Sequence, residues 1–205
     1  VITSALLRDP GVDSVVVAPG NAGIAALVQC VPIDVTDAQA IGELATDLDV
    51  DLVVIGPEVP LMAGAADALI ARGIPCFGPT SEAAFIEGSK AFCKEVMAEA
   101  GIPTAMALVC VNTSEAEIAF GTFGAPYVVK DDGLAAGKGV VVTSDRSEAL
   151  AHAQSCFAAG GTVVIEEFLD GPEVSLFGIS DGTTVIPLQP AQDFKRVGDN
   201  DEGPN

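Results

Sequence analysis

Tyr127-Val128-Val129-Lys130-Asp131-Asp132-Gly133-Leu134-Ala135-Ala136-Gly137-Lys138-Gly139-Val140-Val141-Val142 reads as a strand, a glycine loop and a second strand. Glycine lets backbone N–H groups approach an anion closely, and Lys130 and Lys138, eight positions apart, can bracket a polyphosphate from opposite strands. The loop is not a Walker A loop, which needs four residues between its glycines, Ser or Thr after its Lys, and a helix next. Here three residues separate Gly133 from Gly137, Gly139 follows Lys138, and a strand comes after. A plain hairpin loop with solvated lysines gives the same pattern, so the loop alone leaves both readings open.

Around this segment the chain mixes strands and helices. A strand is expected from Ala105 to Val111, then a helix with Ser114 as N-cap, then the quoted pair. A helix follows the Ser144-Asp145 cap to about Phe157, and a strand covers Thr162 to Glu166. Val174 to Ile179 and Thr184 to Leu188 flank Asp181-Gly182, which has hairpin-turn chemistry. This is an α+β pattern. Upstream, Ser89 to Ala100 reads as one helix, ended by Gly101 and Pro103.

Residues 1 to about 80 have another rhythm. Apolar runs Val15-Val16-Val17, Leu52-Val53-Val54-Ile55 and Pro75-Cys76-Phe77 alternate with helical patterns over Ala38–Leu48 and Leu61–Ala71, the signature of a parallel sheet. Ile2 to Leu7 reads as the tail of a helix whose preceding strand and turn are missing. The chain opens on Val1, its first Met is Met62, and Gly203-Pro204-Asn205 closes in a loop-like run, so it is expected to be an internal fragment.

Composition narrows the function. The 205 residues carry 9 Lys and Arg against 29 Asp and Glu, a formal charge of −20, which repels nucleic acid. With 49% hydrophobic residues and a mean hydropathy of +0.47, the chain has enough apolar surface to fold. The longest uncharged stretch, Ser14 to Ile33, is broken by Pro19-Gly20-Asn21 and Pro32, and no signal segment opens the chain. A membrane partner is therefore not expected. Cys30, Cys76, Cys93, Cys110 and Cys156 form no C-x-x-C pair and read as reduced thiols of a cytoplasmic protein. His152 has no metal-ligand spacing partner and reads as a surface or half-buried helix residue.

In so acidic a chain the placement of cations carries information. Four of the nine, Lys130, Lys138, Lys195 and Arg196, fall in loops or strand ends rich in Gly and Asp. The run Glu166-Glu167-Phe168-Leu169-Asp170-Gly171-Pro172-Glu173 follows an apolar strand; such a strand end can meet a purine edge and a ribose, or be a charged loop. Gln192 to Asn205 carries two adjacent cations among acids, as a substrate loop or a disordered end would. Pro19-Gly20-Asn21-Ala22-Gly23 and Gly56-Pro57-Glu58 sit at strand C-terminal ends, where open α/β sheets bind ligands and ordinary turns also occur.

Taken in order, Ala18 to Gly23, Gly56 to Leu61, Phe77 to Thr80, Glu87 to Phe92, Gly133 to Val141, Glu166 to Gly171 and Gln192 to Asn205 resemble the glycinamide ribonucleotide synthetases (phosphoribosylamine–glycine ligases), a family of ATP-grasp enzymes. The resemblance implies an α/β parallel-sheet, pre-ATP-grasp domain over residues 1–82 and an α+β ATP-grasp domain over residues 83–205, both incomplete. It implies ATP-dependent ligation of glycine to 5-phosphoribosylamine in purine biosynthesis. Lys130 and Lys138 would contact the ATP phosphates under the loop with Gly133, Gly137 and Gly139. Glu166, Glu167, Phe168 and Leu169 would frame the adenine, and Glu173 the ribose. Asn21, Gly23 and Glu58 would line the phosphoribosylamine side, and Asp193, Lys195 and Arg196 would approach phosphoribosylamine or glycine. With Lys138, those last three are the expected catalytic residues.

Lys90 belongs to one of these motifs without an assigned role. Mg²⁺ is implied with its ligands beyond Asn205, so no metal ligand is expected within the chain, and the chain alone is expected not to turn over. Phe194 replaces an expected His, and Asp131 replaces a small residue and is expected to add negative charge near the phosphates. Another ATP-grasp ligase or carboxylase, or a non-catalytic nucleotide-binding module, are the alternatives; oligomeric state is not legible.

Overall fold

The computed structural model describes residues 1–134, 139–194 and 197–199. The chain divides into two compact units, Val1–Glu167 and Phe168–Asn205.

The first unit opens with α1 (Ile2–Leu6), β1 (Val16–Val17), α2 (Ala22–Ala25), β2 (Gln29–Cys30), α3 (Ala38–Asp47), β3 (Val53–Val54), α4 (Glu58–Met62), α5 (Ala65–Ile70), β4 (Cys76–Phe77), α6 (Ser81–Gly88) and α7 (Lys90–Glu99). β1 pairs with β2 and β3 with β4, both parallel, so each pair needs a crossover, supplied by α2 and by α4 with α5. The helix expected over 61–71 is two, because Gly64 at φ +88 ends α4 and caps α5 in the left-handed region. Ser89 in turn separates α6 from α7: its backbone is extended, and its Oγ accepts the Phe92 N–H at 3.1 Å. Leu61, Ala66 and Ala84 form a small core with Ile55, Met62 and Cys76 against it.

The unit continues with β5 (Ala107–Cys110), α8 (Thr113–Phe123), β6 (Tyr127–Asp131), β7 (Val140–Thr143), α9 (Arg146–Ala158) and β8 (Val163–Glu166). Their strands form one sheet in the order β5-β8-β6-β7, antiparallel at each pairing. Side-chain alternation sends Cys110, Val129, Val163 and Ile165 to the face covered by α8 and α9, where Ala116, Ala119, Phe120, Ala149, Ala153 and Cys156 complete the main core. Asp145 caps α9 as expected, accepting the Ser147 N–H at 2.7 Å. Ser114 does not cap α8. Asn112 does: its Oδ1 accepts the Glu115 N–H at 3.0 Å, while Glu115 reaches back to the Val111 N–H at 2.9 Å, a reciprocal box that Ser114, already inside the first turn, cannot make.

The second unit holds β9 (Val174–Ser175), β10 (Gly178–Ser180), β11 (Val185–Pro187) and β12 (Ala191–Gln192). β10 and β11 form the expected hairpin, with Ser180 opposite Val185. In its turn the Asp181 carboxylate accepts the Thr184 and Thr183 N–H groups at 2.7 and 2.9 Å, which holds its pKa below the usual carboxylate value. The strand expected over 174–179 is instead two pieces, since Val174 and Ser175 pair with β12 and residues from Gly178 pair with β11. Among the described residues no helix is long and apolar enough to cross a membrane.

Candidate functional site

Antiparallel register places Val128 opposite Glu166 and Lys130 opposite Val164, so Lys130 and Glu166 project from one face of the sheet, away from α8 and α9. Lys130 Nζ lies 2.7 Å from Glu166 Oε2, and Lys94 Nζ lies 3.2 Å from Glu166 Oε1. The Glu166 side chain is only 7% exposed, and each of its oxygens meets an ammonium group, the pairing that burial of a carboxylate calls for. Lys94 is further fixed by donating to Thr104 Oγ1 and to the Ala105 carbonyl, both at 2.8 Å. Two ammonium groups on one carboxylate leave a formal charge of +1 at this point of the sheet. On the same face Val128 and Val164 of the central strands are buried, while Val109, Val140 and Val142 of the edge strands remain half-exposed.

Beside this cluster lies the root of the glycine loop. The Asp131 N–H donates to the Gly139 carbonyl at 2.7 Å and closes the loop at its base. Lys90 Nζ donates to the Asp131 and Gly133 carbonyls at 2.6 and 3.0 Å, and the Gly133 N–H donates to Asp131 Oδ1 at 3.2 Å. Asp132 is joined to the start of α7: its Oδ2 accepts the Ser89 hydroxyl at 2.9 Å and its Oδ1 the Ala91 N–H at 2.7 Å. On the far side, His152 Nε2 lies 3.3 Å from the Gly139 carbonyl.

The Asp131 side chain leaves the sheet on the face opposite to that of Lys130. Asp131 stands opposite Val163, so its side chain points to the α9 face, opposite to Lys130. There it raises the Cys156 pKa, second to burial of that thiol. Neighbours in a strand alternate, so sequence adjacency to Lys130 did not mean spatial adjacency.

The remaining expected residues are placed as follows. Glu167 ends the β5–β8 pairing, with its N–H donating to the Met106 carbonyl at 3.0 Å and its Oε1 accepting the Met106 N–H at 2.8 Å. In the second unit Phe168 and Leu169 are exposed, and the Asp193 N–H donates to the Glu173 carbonyl at 3.1 Å. Asn21 caps α2, accepting the Ile24 N–H at 3.0 Å, and Gly23 lies within that helix. Glu58 opens α4. Asn21 and Glu58 thus follow the C-terminal ends of β1 and β3, and Gly20 at φ +77 turns so tightly there that a Cβ would run into Cys30 Sγ. Gly137, Lys138, Lys195 and Arg196 lie outside the described residues.

Two family models lie end to end along the chain: the phosphoribosylglycinamide synthetase N domain over residues 1–87 and the phosphoribosylglycinamide synthetase ATP-grasp (A) domain over residues 88–205. The chain belongs to the phosphoribosylglycinamide synthetase family. It is 60% identical over 200 residues to a phosphoribosylamine–glycine ligase of Streptomyces coelicolor, covering 98% of this chain and 47% of that protein. A ligase of the same name from Brucella melitensis is 50% identical over 205 residues, 98% of this chain and 48% of the other. The chain therefore spans about half the length of the curated relatives it matches. The crystal structure of phosphoribosylamine–glycine ligase from Thermotoga maritima superposes with a TM-score of 0.75 at 33% identity, covering 94% of this chain and 47% of that one. An ADP complex of N5-carboxyaminoimidazole ribonucleotide synthetase shares the fold, with a TM-score of 0.68 at 20% identity over 92% of this chain and 49% of that one.

Within this phosphoribosylglycinamide synthetase framework, sequence reading left Lys94, Ser89 and Asp132 without roles. The signal for Lys94 was available: Lys90 and Lys94 are four apart on one helix and so share a face. Asp132 had no such signal, because its partners lie more than forty positions upstream.

Proposed function

We propose that the complete protein, working in the cytoplasm, ligates glycine to 5-phosphoribosylamine. Glycine's carboxylate attacks the γ-phosphate of ATP to give glycyl phosphate and ADP; the amine of phosphoribosylamine then displaces phosphate, leaving glycinamide ribonucleotide. Residues 1–82 serve the phosphoribosylamine side through Asn21, Gly23 and Glu58, and residues 83–205 serve ATP. The observation that carries this reading is the buried Glu166 holding Lys94 and Lys130 on the sheet face opposite α8 and α9, beside the root of the glycine loop.

Phosphoryl transfer asks chiefly for positioning and for positive charge around the transferring group. Lys130 supplies a cation whose direction is set by Glu166, and Lys138 brings a second from the loop. Fixing Lys130 before ATP arrives lowers the reorganisation needed on binding. Glu166 to Leu169 frame the adenine and Glu173 the ribose, while Asp193, Lys195 and Arg196 approach glycine or phosphoribosylamine. Among the described residues no group of three or more His, Cys, Asp or Glu is arranged to hold a metal ion, and every role above belongs to a side chain or the backbone.

The test is ATP consumption by the complete protein. Release of ADP should require glycine and phosphoribosylamine together, and the product should carry the glycine nitrogen and both carbons. Turnover that ignores glycine would point to a different acid substrate and remove the proposal.

A further inference from the structure

Ser89 and Glu166 are the buried polar residues of the described chain. Glu166 carries the lysine pair; Ser89 lies at the joint between α6 and α7, a place where exposure to water would be the ordinary outcome for a cap. Its hydroxyl accepts the Phe92 N–H at 3.1 Å and donates to Asp132 Oδ2 at 2.9 Å. The other oxygen of Asp132 accepts the Ala91 N–H at 2.7 Å, and the Asp132 carbonyl accepts the Lys90 N–H at 3.3 Å. The open N–H groups of the first turn of α7 are thus met by one residue of the glycine-loop root together with the cap, and a negative charge stands at the positive end of the helix. The Asp132 N–H donates in turn to the Thr162 carbonyl at 2.9 Å, which ties the joint to the chain entering β8.

We infer that Asp132, with Ser89, is a positioning residue of the nucleotide site, clasping α7 to the loop root so that Lys90 and Lys94 arrive at the loop carbonyls and at Glu166 together. The inference rests on the proposed function for the identity of the ligand. Its geometric basis is a lever. Lys90 and Lys94 stand one turn apart on α7, and their ammonium groups end on two different elements, the loop root at Asp131 and Gly133 and the end of β8 at Glu166. A shift of α7 along its axis would disengage both at once and change the partner that holds Lys130 in place. The clasp holds the backbone and cap of the α7 start against such a shift, where the Lys90 and Lys94 contacts hold it only through long, flexible side chains. Asp132 touches no reacting atom in this arrangement; it acts through Lys90, Lys94 and Glu166.

The experiment uses the complete protein and compares the parent with D132N, S89A and S89T. D132N keeps the size of the side chain but replaces one acceptor oxygen by a donor and removes the charge, so it can no longer serve both Ser89 and Ala91 as the carboxylate does. The expected result is a KM for ATP raised about tenfold in D132N and about threefold in S89A, with the KM for glycine unchanged within about twofold. S89T, which keeps the hydroxyl, should return the KM for ATP to the parent value. A purely structural role would lower the melting temperature and the active fraction, and hence apparent kcat, while leaving the KM for ATP alone; that pattern in both D132N and S89A overturns the inference. Should D132N fail to fold, the S89A and S89T pair decides by the same criterion. If the parent shows no glycine-dependent ATP consumption, the proposed function falls, and the clasp is then tested by titrating ATP calorimetrically into parent and S89A: weaker binding in S89A supports the inference and equal binding overturns it.

Discussion

On one face of the β5-β8-β6-β7 sheet, Cys110, Val129, Val163 and Ile165 are sealed under α8 and α9; on the other, Val128 and Val164 of the central strands are buried at 6% and 0%, while Val109, Val140 and Val142 of the edge strands stay 49%, 44% and 49% exposed, and a buried carboxylate holds two lysines. The strands are the same, and alternation alone sorts their side chains. The sealed face contributes stability through apolar area, and it tolerates no unpaired charge. The open face forgoes part of that area and places ionic groups whose partners are each other. A charge pair in such a position adds little net stability relative to an apolar pair of the same volume, so stability alone does not account for it.

Two substitutions pull the faces apart most strongly. Phe120→Ala on the sealed face should destabilise the complete protein by about 4 kcal/mol, since it removes a ring that is 2% exposed and leaves a cavity. Its ATP affinity, measured under native conditions, should be unchanged. Glu166→Gln on the open face should cost about 3 kcal/mol, because Lys94 and Lys130 lose the charge that compensates them in a dry site. Here urea unfolding and ATP titration should both move. If Glu166→Gln altered stability alone, the two faces would be one kind of core and the contrast would fail.

Lys130→Ala sharpens the contrast with a smaller effect. Glu166 retains Lys94, so stability should fall by less than for Glu166→Gln. The loss appears in ATP binding instead, by about 1.5–3 kcal/mol for one charged hydrogen bond to phosphate, or roughly tenfold to a hundredfold in dissociation constant. Calorimetric titration reads it directly, and an unchanged constant would take Lys130 out of the phosphate site.

The sequence stated the sealed face more fully than the open one. Continuous β-branched runs at Val128-Val129, Val140 to Val142 and Val163 to Ile165 name the strands, and the Asp145 cap and the hairpin at Asp181 follow from local turn chemistry. Where two capping residues compete within three positions, as Asn112 and Ser114 do, local reading does not choose; the return bond from Glu115 to Val111 does. Lys130 and Glu166 were each legible as candidates from their motifs, yet their pairing depends on strand register, a long-range property. The direction of Asp131 and the joint between Ser89 and Asp132 are of the same kind. They arise when segments distant in sequence meet, and no local pattern encodes that meeting.

The smallest effect is invisible at neutral pH. Cys110 ends β5 on the sealed face at 1% exposure, and burial, then the nearby Glu115 charge, pushes its thiol up to about 11 from the ordinary 9.0. Well below pH 9 the thiol is protonated whether the chain is folded or not, and Cys110 adds no pH dependence. As pH climbs from 9.0 towards 11 the unfolded chain ionises first while the folded one keeps its proton, so stability falls across that window and levels off above it. Urea unfolding of the parent and of Cys110→Ala at a series of pH values isolates the term, because Lys and Tyr ionisations are common to both. The variant should start less stable, from its lost packing, and should lose less stability between pH 9 and 11. Parallel pH curves would mean that Cys110 meets water more readily than the valines beside it, and that the sealed face is open at the β5 edge.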